Sequence, residues 1–220
     1  QSIFKLVIQG RGGHGASPHL SNDPIVAGAG FVTNLQTIVS RRVNPFDMAV
    51  ITVGSFDGAG QFNIIKDSVT LDGDVRTMNE ETRILIEKEF RRLVAGLEVT
   101  FNVKTQLDYT NNYPVLKNDP EITLQVKEIC ERASGLNASQ TNQEEILIPE
   151  ITKVETGIPW SASEDFALYL QQRPGCYFYV GAMPEDGIWY PHHSPRFRID
   201  ERSMIISAKS MAAIVCEYCS

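Results

Sequence analysis

The sequence predicts an α/β protein whose first half is a β-α-β-β-α-β domain, an antiparallel sheet with two helices on one face. Three observations carry that expectation. Segments of strand-like alternation are interleaved with two stretches of helical periodicity. Their order is that of the ferredoxin-like split βαβ unit. Turn and cap signals separate them: glycine runs, Asp23-Pro24 and Asn79.

Residues 4–9 open the pattern, with Phe4, Leu6 and Ile8 on one face and Lys5, Val7 and Gln9 on the other. A glycine-rich loop runs from Gly10 to Gly15. Asp23 then offers an N-cap with Pro24 at the first helical position, and Ile25, Ala29, Val32, Leu35 and Val39 recur at helical spacing up to Arg41 and Arg42. Residues 48–54 read as a second strand. Residues 68–76 form a third, with Val69, Leu71 and Val75 opposed to Thr70, Asp72, Asp74 and Arg76. Asn79 caps a second helix carrying Ile86, Phe90, Leu93 and Leu97 on one stripe. Residues 99–107 close the unit by the alternation of Val99, Phe101, Val103, Thr105 and Leu107.

The second half is less regular. Helices are expected over 119–134, over Ser163–Leu170, and over Asp200–Tyr218 with Met204, Ala208, Met211 and Val215 along one stripe. Residues 175–182 read as a buried strand and 139–145 as a polar loop. One strand with three helices does not make an independent sheet domain, so this half calls for partner strands from elsewhere.

The 220 residues carry a formal charge of −7, which argues against nucleic acid or anionic membrane partners, since phosphate contacts need clustered Lys and Arg. No apolar run is long enough for a membrane span and no signal peptide is visible, so a cytoplasmic location is expected. Cys130, Cys176, Cys216 and Cys219 read as structural. The lone C-x-x-C lacks the second ligand pair a zinc site requires.

Chemistry concentrates in four places. His14 and His19 stand in Gly10-Arg11-Gly12-Gly13-His14-Gly15-Ala16-Ser17-Pro18-His19, where glycines permit positive φ and close backbone approach. The alternative is a flexible connector. His192 and His193 lie in a proline-stiffened loop, a ligand site or a surface turn. Glu164 and Asp165 either cap a helix or support a metal site. Arg76, suited to gripping a carboxylate, either does so with Asn63 or forms an ion pair with Asp72 or Asp74.

Together these motifs resemble the zinc aminoacylase/carboxypeptidase family, in the branch of hippurate hydrolase and indole-acetyl-amino-acid hydrolase. The matching stretches are Gly10 to His19 followed by Asp23-Pro24-Ile25; Val53-Gly54, Gly58-Ala59-Gly60 and Asn63-Ile64-Ile65-Lys66; Gly73-Asp74-Val75-Arg76; Ala162-Ser163-Glu164-Asp165-Phe166; and His193-Ser194-Pro195-Arg196-Phe197. Lys66 stands where that family has Pro, and Ala162 where it has Gly.

The resemblance implies a metal-dependent amidohydrolase cleaving N-acyl amino acids. Residues 1–110 would be a lid and dimerisation domain, and residues 111–220 the C-terminal part of an α/β metallopeptidase catalytic domain. His14 resembles the lid histidine that reaches into the partner's site, a catalytic and substrate-binding role. Asn63 and Arg76 resemble substrate carboxylate-binding residues. Glu164 resembles a catalytic-site acidic support, and His193 the last metal ligand. A divalent pair, zinc or manganese, would be held mostly by an N-terminal catalytic segment that this sequence does not contain. The alternative is a catalytically incomplete fragment acting as a dimerisation or interaction module.

Overall fold

The computed structural model describes residues 1–136, 147–157 and 159–219. The loop expected at 139–145 lies outside the described residues. The chain forms two compact units, Gln1–Leu116 with Trp160–Leu168, and Lys117–Pro159 with Tyr169–Ser220.

The first unit runs β1 (Ser2–Gln9), β2 (Gly13–His14), α1 (Pro24–Arg41), β3 (Ala49–Asp57), β4 (Ile64–Ile65), β5 (Ser68–Thr77), α2 (Glu80–Phe101) and β6 (Lys104–Asn111). Its main sheet has the order β3-β5-β1-β6 with every neighbour antiparallel, the ferredoxin-like arrangement the sequence predicts. The two-residue strands β2 and β4 pair with each other in a separate ribbon.

The period of two decides which face is buried. Phe4, Leu6 and Ile8 of β1 and Val69, Leu71 and Val75 of β5 all point into the core. The helices start where their caps place them. The Asp23 carboxylate accepts from the amides of Ile25 and Val26, and the Asn79 side chain accepts from the Thr82 amide at 2.7 Å. Of the two apolar stripes available on α1, the buried one is Ala27, Phe31, Leu35 and Ile38, while Ile25 is exposed. The expected stripe shares only Leu35 with it. Phe31 is the largest side chain on the helix and is 1% exposed, and burying its area favours that face.

The closing strand begins later than the alternation suggests. Residues through Phe101 remain helical because Leu97 is buried on the α2 stripe and the Phe101 ring rests on Gly30 of α1. Val99 is exposed, so its place in the alternation carried no packing. Asn102 then takes a left-handed conformation, φ 50°, and turns the chain into β6.

Phe90 occupies the centre of the core. It lies 4.7 Å from Phe4, 5.3 Å from Phe31 and 5.4 Å from Tyr109, ring centre to ring centre, in tilted or edge-on geometry. It ties α2 to β1, α1 and β6 at once.

In the second unit α3 (Pro120–Ser134) packs with α5 (Arg202–Cys219). α4 (Phe166–Leu170) lies where the chain passes from one unit to the other. Arg132 pairs with Glu217 at 2.9 Å and Lys209 with Glu150 at 3.3 Å. These contacts turn Ser203 and Ser210 of α5 inward, and Met204, Met211 and Val215 are more than half exposed. Residues 175–182 are not a strand. Asn118 holds the Tyr177 amide and carbonyl through its side-chain amide, at 2.8 Å each. The apolar run is therefore pinned by a side chain rather than by a neighbouring strand, and it is half-buried. Cys130 is buried, and Cys216 and Cys219 are exposed on α5. Among the described residues no helix is long and apolar enough to cross a membrane.

Phe90→Ala should cost about 3–5 kcal/mol, because it leaves a cavity at the one point where both helices and two strands meet. Urea denaturation of wild type and variant measures this directly. An unchanged midpoint would mean that the aromatic cluster does not hold the unit together.

Candidate active site

The loop after β1 is knitted to the segment before β5. Gly10 donates its amide to the Asp67 carbonyl at 2.7 Å, and Gly12 donates to the Asp67 carboxylate at 2.9 Å. Arg11 and Asn22 exchange backbone hydrogen bonds at 3.0 and 2.9 Å. Gly13 pairs with Ile65 and His14 with Ile64, and the Gly15 amide reaches the Asn63 carbonyl at 2.8 Å. The glycines serve close packing. A Cβ on Gly10 would fall 2.1 Å from the Asn22 oxygen, and one on Gly12 would fall 2.6 Å from the Ile65 oxygen. The positive φ that the sequence suggests for this run is absent from it.

This scaffold presents His14 to solvent in one orientation. Its Nδ1 accepts the Ala16 amide at 3.1 Å. A nitrogen that accepts a hydrogen bond carries no proton, so the neutral ring bears its N–H on Nε2. Nε2–H is then a fixed donor aimed away from the loop. His19 lies in the short 3-10 turn Pro18–Leu20 and is exposed.

Asn63 sits beside His14, in a turn closed by the Ile64 amide on the Gln61 carbonyl at 3.2 Å. Arg76 is elsewhere. It pairs with Val50 near the far end of β5, whereas Ser68 at the near end pairs with Gln9. Eight residue steps of strand lead from Ser68 to Arg76, about 27 Å at the usual rise. One protomer therefore brings His14 and Asn63 together and keeps Arg76 apart from them.

Arg76 has its own surroundings. Its Nε donates to Asp74, the ion pair that residue spacing alone allowed, and Nη1 donates to the Ser163 hydroxyl and to the Ser161 carbonyl at 3.5 Å. Ser163 in turn donates to the Gln1 side chain at 2.8 Å. The segment Ser161–Glu164 is thus fastened beside Arg76. Glu164 accepts the Phe166 amide at 3.4 Å, as a residue at the entrance of α4 does. Asp67 and Ser163 are the two positioning residues that sequence reasoning missed. A lone Asp before a strand and a Ser inside a charged motif give no pattern that marks them.

His193 adopts a left-handed backbone, φ 66°, in a turn where the Ser194 amide reaches the Pro191 carbonyl. Left-handed geometry is uncommon for a residue with a Cβ and is a feature of functional loops. Its neighbour His192 lies against Phe197, ring centres 5.0 Å apart. Among the described residues no three His, Cys, Asp or Glu side chains gather in a cluster able to hold a metal ion. These residues do not make a complete metal centre.

Residues 3–100 match the family model described as the peptidase dimerisation domain, M20_dimer. The N-acetyl-L-cysteine deacetylase of Bacillus subtilis is 35% identical over 202 residues, covering 92% of this chain and 44% of that protein. A crystal structure from methicillin-resistant Staphylococcus aureus superimposes with TM-score 0.81 at 46% identity, covering 100% of this chain and 52% of that one. The Bacillus subtilis YXEP protein, described as a dinuclear metal-binding peptidase from the M20 family, shares the fold at TM-score 0.64 and 23% identity, covering 98% of this chain and 50% of that one. The chain spans about half the length of the curated relatives it matches. It belongs to the M20 peptidase family and carries that family's dimerisation domain.

Nitrogen NMR of the labelled imidazoles at alkaline pH should report the Nε2–H tautomer for His14, because the Ala16 amide occupies Nδ1. Finding the proton on Nδ1 would show that this backbone contact does not orient the ring.

Proposed function

We propose that this member of the M20 peptidase family is part of a metal-dependent amidohydrolase acting on N-acyl amino acids, with its active site assembled from two protomers. The relatives' N-acyl substrates support the reaction class, and the separation within the sheet supports the assembly. Nε2–H of His14 is suited to meet a carbonyl oxygen as it gains negative charge. The Asn63 amide and the Arg76 guanidinium are suited to the substrate carboxylate. The strand from Ser68, near the His14 ribbon, to Arg76 is roughly 27 Å long, well beyond the reach of a small N-acyl amino acid. Such a substrate can touch all three only if His14 and Asn63 come from one protomer and Arg76 from the other. A homodimer formed through the lid, residues 1–110, meets that requirement, with residues 111–220 belonging to the catalytic domain.

Divalent ions, zinc or manganese, would be held mainly by groups outside the described residues, with His193 as this chain's ligand and Glu164 as an acidic support. No step is assigned to them from these residues. The cytoplasm is the expected compartment. A second reading, a module for dimerisation alone, draws on the dimerisation-domain match and on the lack of a complete ligand cluster among the described residues.

Two measurements test the main reading in the full-length protein. His14→Ala should lower kcat by about 10²–10³ as loss of an oxyanion donor. Mixed and re-equilibrated with an inactive Arg76→Ala protein, it should recover about one quarter of wild-type activity. Half the dimers are then mixed, and each mixed dimer has one intact composite site. No recovery would place both residues in one protomer's site. Chelation should abolish turnover and a divalent ion restore it; activity unaffected by thorough chelation would remove the metal from the mechanism.

A further inference from the structure

We propose that Ser163 is a positioning residue that couples Arg76 to Glu164, so that an anion held by Arg76 changes turnover as well as affinity. This rests on the amidohydrolase reading and adds how two of its residues communicate.

The register of β1 on β5 pairs Ser2 with Val75, which sets Gln1 across from Arg76. Gln1 is itself held on the β6 side, where its carbonyl accepts the amides of Asn112 and Tyr113 at 3.0 and 3.2 Å. Ser163 stands between the two side chains. Its hydroxyl accepts from Arg76 Nη1 and donates to the Gln1 side-chain oxygen at 2.8 Å. A hydroxyl has one proton. Gln1 takes it, so Ser163 faces the guanidinium as an acceptor, the orientation a cation favours. The Ser161 carbonyl adds a weaker contact to the same nitrogen at 3.5 Å. Both serines belong to the segment Trp160–Leu168, which is part of the first unit.

Glu164 follows Ser163 directly, and its carboxylate accepts the Phe166 amide at the start of α4. A single peptide unit thus joins the residue that receives Arg76 to the acidic one. The guanidinium is a rigid plane. Asp74 holds its Nε and Ser163 holds its Nη1. A carboxylate drawn to Nη2 turns the whole plane, and Nη1 carries that motion into Ser163 and the Glu164 backbone. With Asp74 alone beside it, Arg76 would still bind an anion but would pass nothing on to Glu164.

Two readouts on the full-length protein test this. In the metal-free protein, 5-fluorotryptophan at Trp160, one residue before Ser161, is followed by fluorine NMR, its resonance assigned by its loss in Trp160→Phe. N-acetyl-L-alanine should shift that resonance, and its carboxamide should not. The shift at saturation should vanish in Arg76→Ala, fall at least about 3-fold in Ser163→Ala and in Gln1→Leu, and persist in Ser163→Thr. In the metal-loaded enzyme the carboxylate substrate should exceed the carboxamide in kcat by about 10-fold, and Ser163→Ala should bring that ratio close to one. A merely structural role would lower kcat for both substrates alike and leave their ratio where it is, which overturns the coupling. So does a wild-type resonance that ignores the carboxylate, or a Ser163→Ala resonance that responds as wild type does. An effect on KM alone also overturns it and leaves Ser163 a support for binding only. Hydrolysis of neither substrate overturns the amidohydrolase reading instead, and the fluorine shift, which needs no turnover, tells that failure from failure of the coupling.

Discussion

Asp67 accepts two amides from the loop after β1, Gly12 on its carboxylate and Gly10 on its backbone carbonyl. The rest of the His14 region is positioned from that pair of bonds. They clamp the loop against the start of β5, so Gly13 and His14 meet Ile65 and Ile64 in register. The Gly15 amide then fixes the Asn63 carbonyl, and the Ala16 amide fixes the imidazole. A charged acceptor on a backbone donor is a strong bond, and here it sits at the base of a chain of weaker ones. Without it the ribbon is two residue pairs long, far too short to hold itself in water.

Because the clamp is at the start of β5, the length of that strand sets the geometry of the candidate site. β5 is central, flanked by β3 and β1, and its core face is fully buried at Val69, Leu71 and Val75. A register slip by one residue would turn all three to solvent, so the strand cannot slide. The distance from Ser68, at the base of the clamp, to Arg76 is as rigid as the sheet. A flexible lid could fold its own histidine onto its own arginine; a ten-residue central strand cannot. Given that His14, Asn63 and Arg76 serve one substrate, as proposed, that stiffness calls for a site assembled from two copies.

The sheet was legible in the sequence because alternation and burial coincide in β1 and β5. The candidate residues His14, Asn63, Arg76, Glu164 and His193 were legible only through motif resemblance. Three things were not readable. The boundary near Phe101 failed because apolar residues two apart also fit a helix whose stripe runs through Leu97. The buried face of α1 failed because two stripes share Leu35, and only the sheet beneath chooses between them. Residues 175–182 have strand composition but are held by the Asn118 side chain, and a side-chain partner some sixty residues away leaves no local trace. The roles of Asp67 and Ser163 were hidden for the same reason: each acts on a distant backbone or guanidinium.

The surroundings of Arg76 constrain how it would hold a carboxylate. A guanidinium has five N–H donors in a plane. Asp74 takes Nε, and Ser163 with the Ser161 carbonyl takes Nη1. Fork-like recognition needs two neighbouring nitrogens facing the same anion, and each such pair here includes a nitrogen already engaged. What remains is Nη2, which suits a carboxylate approached end-on, with the second oxygen left for another donor. In the proposed composite site, the Asn63 amide of a second copy is of the right kind for that oxygen. Asp74 then serves two ends. It keeps the guanidinium in one orientation, and its negative charge offsets that of the arginine until an anion arrives. Lysine at this position would keep the charge and lose the plane, so the shape of the side chain matters here as much as its sign.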